Sequence, residues 1–279
     1  VTQADILRDM AAWPDVAPLV AEVRDACTQL RWHQALRRRI PEAAAESRVR
    51  GARASAELDG ARVDEATVRR MLCGAAEPAT GRDATDAVVR AAVQATAEAE
   101  HVAGLVRTAP GQAITRLHVA AGAPLLAAEA VARPRREQEL VAELTDLGAA
   151  PPAREVAARL QGLGSLLADA SAPAYVVAAI AHAEIAHVRP FVRGNGLVAR
   201  ALDRAFVVAS GLDPTGVAVP EVGFGHAGSA AYVGSLAGYA TGRREGVELW
   251  LTHWGRSMLA AVAEGRSIAD AVLAGRLPS

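Results

Sequence analysis

Residues 189–200 read Arg189-Pro190-Phe191-Val192-Arg193-Gly194-Asn195-Gly196-Leu197-Val198-Ala199-Arg200. Asn195 is the only asparagine in 279 residues, and Phe191 is one of three phenylalanines. The chain has no lysine; all 30 basic residues are arginine. Asparagine and lysine codons are A/T-rich, so this composition suggests a GC-rich bacterial genome. A chain that avoids asparagine elsewhere and keeps it here points to a position that needs that side chain. On either side, 172–188 and 196–210 are apolar around nearly the whole helical circumference, the mark of central, buried helices. The stretch therefore predicts two core helices joined by a short polar loop.

A loop buried between such helices must satisfy its backbone. This one runs into a helix N-terminus, where free amides point outward and the helix dipole is positive. Gly194 and Gly196 permit tight turning and close approach of a phosphate. Asn195 can pin the loop or cap the helix. Arg200 lies about 7.5 Å along the axis, and helical side chains lean toward the N-terminus, so it can reach back to an anion. Gly-Asn-Gly alone is also an ordinary turn. Arg189, Arg193 and Arg200 around it, with no acid inside it, favour a phosphate receptor.

The rest of the composition agrees with an all-α chain with little or no β structure. Hydrophobic residues make up 51% and aromatics 4%, so the core is built from Ala, Val and Leu, and alanine is the best helix former. A net charge of −1 gives no field to recruit nucleic acid or an anionic membrane. Cys27 and Cys73 are isolated, without metal spacing or a disulfide framework, and a cytoplasmic location is expected. The N-terminus lacks signal-peptide character, and the apolar 172–188 region is too short and too polar to span a bilayer.

Along the chain, helices are expected from Pro14 to about Arg39, Glu42 to Glu57, Asp64 to Leu72, Asp83 to Arg107 and Gln112 to Ala121. A break is expected at 74–81. Residues 122–150 are weakly periodic, and 133–147 read as a charged, solvated helix or loop. Pro151-Pro152 opens a helix to about Ala170. Residues 211–228 read as irregular, and helices 229–241 and 245–273 complete the chain. The simplest division is an N-terminal helical extension, 1–80, and a main helical domain, 81–279.

The 189–200 stretch resembles the signature loop of the Fic (Fido-fold) family, His-Pro-Phe-x-(Asp/Glu)-Gly-Asn-Gly-Arg-x-x-Arg. His182, Ile185 and Val188 fit the spacing upstream of that motif. Leu117-His118 and Pro151-Pro152 resemble other family landmarks, and the resemblance covers roughly 85–262. It implies that Arg189, Phe191, Arg193, Gly194, Asn195, Gly196 and Arg200 form a phosphate or nucleotide site. Family members transfer AMP from ATP to a protein hydroxyl, with the motif histidine as base and the acid holding Mg²⁺. Many also carry an inhibitory helix, Ser/Thr-x-x-x-Glu-Gly/Asn, whose glutamate pairs with the last motif arginine. Ser55-Ala56-Glu57-Leu58-Asp59-Gly60 fits with aspartate for glutamate, so Ser55, Asp59 and Gly60 are expected opposite Arg200. Glu57 is the fallback partner. As a chain segment, 55–60 is equally an ordinary helix C-terminus.

Here the family histidine is Arg189, its acid is Arg193 and its first arginine is Leu197. Arginine, with a pKa above about 12, is no base near neutral pH. Losing a general base costs about 10²–10⁴-fold, and Arg193 repels Mg²⁺. His187 sits about 200° round the helix from Arg189 and faces away; His182 reads as a buried, hydrogen-bonded histidine. The family's target-docking hairpin, the flap, has no clear counterpart in 133–147. The expectation is thus a Fic-fold protein without ordinary AMP transfer and with no catalytic residue assigned. It binds ATP, another nucleotide, a phosphometabolite or another anion without Mg²⁺ at the motif, or it serves a protein partner. Two alternatives are an active transferase with altered residues and a non-catalytic helical partner-binding protein. Neither nucleic acid nor membrane is expected as a partner.

Overall fold

The computed structural model describes residues 2–75 and 83–277. It is 70% helical, and the described residues contain twelve α-helices and no strand. In order these are α1 Gln3–Ala11, α2 Ala17–Arg31, α3 Ile40–Leu58, α4 Glu65–Leu72, α5 Ala84–Val102, α6 Pro110–Gly122, α7 Ala153–Ala168, α8 Ala174–Val188, α9 Asn195–Ala209, α10 Pro220–His226, α11 Ser229–Ala240 and α12 Arg244–Leu273. The break expected at 74–81 falls largely outside the described residues.

The two apolar stretches become α8 and α9, packed against each other, with α5 and α6 against α9 and α7, α11 and α12 against α8. Every residue of α9 from Asn195 to Val207 is buried, including Arg200, Asp203 and Arg204. Each of those charges needs a partner at that depth. Arg204 pairs with Glu221 at 2.7 Å, and Trp254 Nε1 donates to Asp203 at 2.8 Å. Tyr175 and Trp250 likewise close their polar ends on the carbonyls of Leu251 and Ala179. A core poor in aromatics thus places several of its large rings where α12 crosses α8.

The N-terminal boundary differs from expectation. The helix predicted from Pro14 to Arg39 ends at Arg31, followed by a 3-10 turn at Gln34–Arg37. A further helix, α1, precedes it, started by a reciprocal Thr2–Asp5 capping box. α3 packs on α5, α10 and α12.

Residues 211–228, expected to be irregular, contain α10. Pro220 supplies its first turn, while Gly223 and Gly225 lower its helix propensity and hid it from a pattern reading. Gly223 serves packing: a Cβ there would lie 2.0 Å from the Ser257 carbonyl oxygen of α12. Only glycine lets these helices approach so closely, and the contact holds Glu221 against Arg204.

Candidate functional site

The α8–α9 loop is pinned by the residue types that single it out in sequence. Asn195 Oδ1 accepts from the Phe191 amide at 2.9 Å, and its Nδ2 donates back to the Phe191 carbonyl at 2.9 Å. This closes 191–195 into a ring that glutamine would overfill and aspartate would leave one donor short. Phe191 is buried and stacks on His118 of α6, with centroids 3.6 Å apart and planes 4° from parallel. His118 Nδ1 accepts from the Ala132 amide and Nε2 donates to the Arg193 carbonyl. Burial pushes His118 down to about 4 despite the Arg193 carbonyl, so it is a neutral ring. Gly194 has a φ of 88°. A Cβ on Gly196 would lie 3.2 Å from Arg200 Nη1 and 3.3 Å from Asp59 Oδ1.

Arg200 is fully buried one turn further on. Its Nε donates to Ser55 Oγ at 2.8 Å, and Nη2 donates to the Ser55 carbonyl at 3.1 Å and to Asp59 Oδ1 at 2.6 Å. Burial opposes its charge, but Asp59 and Tyr232 beside it outweigh burial, so its pKa is raised. The end of α3 sets this geometry. Gly60, with φ 83°, donates to the Glu57 carbonyl, and the Ala61 amide donates to that of Ala56. This Schellman-type close leaves Asp59 projecting beside the last turn. Glu57, the fallback partner, lies 3.7 Å from Arg53 instead.

The amides at the start of α9 hold a partner that the sequence did not reveal. Glu143 Oε2 accepts from the Gly194 amide at 2.9 Å, and Oε1 accepts from the Asn195 amide at 2.7 Å and from Asn195 Nδ2. A carboxylate of the chain itself therefore sits where a helix terminus attracts an anion. Desolvation raises the Glu143 pKa against the lowering pull of these three donors, and Asp59 adds to the rise.

Glu143 belongs to a strap, residues 133–150, that crosses the motif loop without regular structure except a 3-10 turn at Thr145–Leu147. Arg189 adopts a left-handed backbone, φ 46°. Its guanidinium donates to the carbonyls of Leu144 at 3.0 Å, Gly148 at 2.8 Å and His187 at 3.3 Å. Arg135, also buried, donates to the carbonyls of Arg189 at 2.8 Å, Val188 at 3.3 Å and Pro151. The strap thus sets a cation on the carbonyl end of α8 and an anion on the amide end of α9, each matching the local dipole. The segment is an irregular loop, largely exposed as expected, but Arg135 and the partly buried Glu143 depart from a solvated surface by turning inward, while Leu140 is 87% exposed.

A family model described as Fic/DOC family matches residues 30–207. The chain belongs to the Fic/DOC family. Similar solved structures carry the same fold at low identity. A Fic family protein from Desulfovibrio desulfuricans G20 is 19% identical with a TM-score of 0.69, covering 95% of this chain and 76% of its own. Fic-1 (residues 134–508) from C. elegans is 18% identical with a TM-score of 0.66, covering 89% and 71%. A Fic domain containing signaling protein from Bacteroides thetaiotaomicron is 12% identical with a TM-score of 0.63, covering 90% and 97%. No curated protein matches the chain.

Within this Fic-family fold, the anticipated site residues divide. Phe191, Gly194, Asn195, Gly196, Arg200, Ser55 and Asp59 meet at one place, while Gly60 closes the C-terminus of α3. Arg193 is exposed and lines a pocket of about 630 Å³ with Leu58, Asp59, Leu125, Glu143 and Gly196. The Arg189 guanidinium, expected to face a phosphate, instead bonds the strap carbonyls of Leu144 and Gly148. His187 is half-buried, 6.4 Å from the Tyr239 ring. His182 bonds the Tyr232 hydroxyl at 2.8 Å. The Mg²⁺ of the family's reaction does not fit these residues. A guanidinium stands in the metal-binding position, Asp59 is tied to Arg200 and Glu143 to three N–H groups. No group of three or more His, Cys, Asp or Glu residues among those described could hold a metal. No described helix is long and apolar enough to cross a membrane.

Proposed function

We propose that this is a Fic-fold protein without the family's ordinary AMP transfer, retaining a phosphate- or nucleotide-type anion site at the N-terminus of α9 in a form its own carboxylates keep closed. The observation that carries this is the state of Arg189. It stands where the family pattern has its proton acceptor, cannot accept a proton near neutral pH, and is bonded to Leu144 and Gly148 of the strap. The other ring near the loop, His118, has both nitrogens engaged and is no substitute base. Arg193 in the acid position supports the same reading. A role in regulation, through an anion or a protein partner, fits a site with binding elements but no acid–base pair.

The test is incubation of the purified chain with labelled ATP and Mg²⁺. Self-labelling is expected to stay at background, and the pair Arg189→His with Arg193→Asp is expected to recover little, because the strap still covers the loop. Robust labelling by the native chain would overturn the reading.

A further inference from the structure

The strap does more than cover the site. The geometry points to Glu143 as a tethered anion that competes with free oxyanions for the amides of Gly194 and Asn195, making residues 133–150 a displaceable latch on the phosphate-type site. This deepens the proposed function and rests on its anion site.

Three observations carry it. First, Glu143 makes the contacts that an oxyanion would make there: two backbone amides at 2.9 and 2.7 Å and the Asn195 side-chain amide. Second, the closure is reciprocal. The strap puts a carboxylate on the loop's donors, while the loop's Arg189 and the strap's Arg135 bond carbonyls across the same seam. Third, the described residues have three non-glycine positions with positive φ: Leu144 at 52° and Arg189 at 46° bond each other across this seam, and Ala132 at 62° immediately precedes the strap. Left-handed backbone is unfavourable for an L-residue, so the closed seam is built on backbone that the local sequence does not favour.

The competitor is also weakly held for its position. Burial raises the Glu143 carboxyl above its usual range even with three donors on it, and Asp59 nearby adds to the rise. A phosphate offers more acceptor oxygens than a carboxylate to the same amides, and the exposed Arg193 lining the adjacent pocket supplies a cation for its added charge. Its apparent affinity is lowered by the fraction of time the strap is closed, a penalty that removal of Glu143 lifts.

The experiment measures inorganic phosphate and sulfate binding by calorimetry in the native chain and in Glu143→Ala. Hydrogen exchange is followed at 137–147 and at the Gly194 and Asn195 amides. The variant is expected to bind phosphate about tenfold or more tightly than the native chain. Phosphate added to the native chain is expected to speed exchange in the strap while protecting the two loop amides. Equal affinity in native and variant chains would overturn the competitor and leave the anion site in place. No phosphate binding in the variant, with its strap exchange raised, would overturn the anion site itself. Should Glu143→Ala fail to fold, Glu143→Asp carries the same test: it keeps the charge but is one methylene too short to reach both amides, and it is expected to tighten phosphate binding in the same direction.

Discussion

Two carboxylates line the same pocket beside the motif loop, and they differ in almost everything else. Asp59 projects from the C-terminus of a regular helix and neutralises a guanidinium that is fully buried. Glu143 hangs from an irregular strap and sits on neutral amides that carry only a dipole. The first removes a bare charge from the core. The second replaces water at a helix end and loses its own hydration in doing so. Asp59 therefore belongs chiefly to stability, and Glu143 chiefly to occupancy.

The sharpest way to break this contrast is Asp59→Ala. Breaking a buried pair by removing one partner costs about 3–5 kcal/mol. Because Asp59 is 22% exposed on its side chain and Ser55 still bonds Arg200, a loss near the lower end, about 3 kcal/mol, is expected in urea unfolding. A loss below about 0.5 kcal/mol would mean that Arg200 does not depend on Asp59 for neutralisation. The freed Arg200 is also expected to raise phosphate affinity, and Arg200→Ala to abolish it.

The second test concerns the ring beneath the loop. His118 is held near 4 in the fold against 6.5 in the unfolded chain. The unfolded state takes up its proton first as pH falls, so stability present above 6.5 is lost between 6.5 and 4. At pH 5 the native chain is expected to have lost about 2 kcal/mol relative to His118→Gln, whose side chain does not titrate. Parallel unfolding curves for the two chains from pH 7 to 5 would show that the Phe191–His118 stack is not the acid-sensitive element at the loop.

The smallest effect is expected from Glu143→Ala, a stability change under about 1 kcal/mol at neutral pH. Its sign with pH separates it from His118. Glu143 is raised in the fold above 4.5, so the folded state binds its proton first. Relative to the variant, the native chain gains stability as pH falls through the raised value, and the gain is complete below 4.5. Asp59, Asp146, Arg189 and Arg193 are the other charged groups around this carboxyl. A native chain that loses stability against Glu143→Ala over the same range would show the carboxylate to be net stabilising, and the contrast with Asp59 would fail.

The sequence by itself determined the parts of this protein that depend on local pattern. Apolar residues around most of the circumference predicted α8 and α9, because a helix buried on nearly every face must be mostly apolar, its few charges paired. The lone Asn195 between two glycines marked the loop, because few residues satisfy a backbone from both sides in so short a span. Ser55 and Asp59 are expected opposite Arg200 only through the resemblance of 55–60 to the family's inhibitory-helix pattern; by local pattern alone the segment is an ordinary helix C-terminus. Only the tertiary structure decided where the strap's charges go. Arg135, Glu143 and their neighbours look alike in sequence: polar residues without period. Which of them face solvent depends on two helix ends more than forty residues away. Arg189 followed the same rule. Its identity removed a base from the loop, but the direction of its guanidinium was set by the carbonyls of Leu144 and Gly148, which come to it only when the strap folds across. A buried cation turns to whatever acceptors surround it, and that is a property of the assembled fold rather than of the motif.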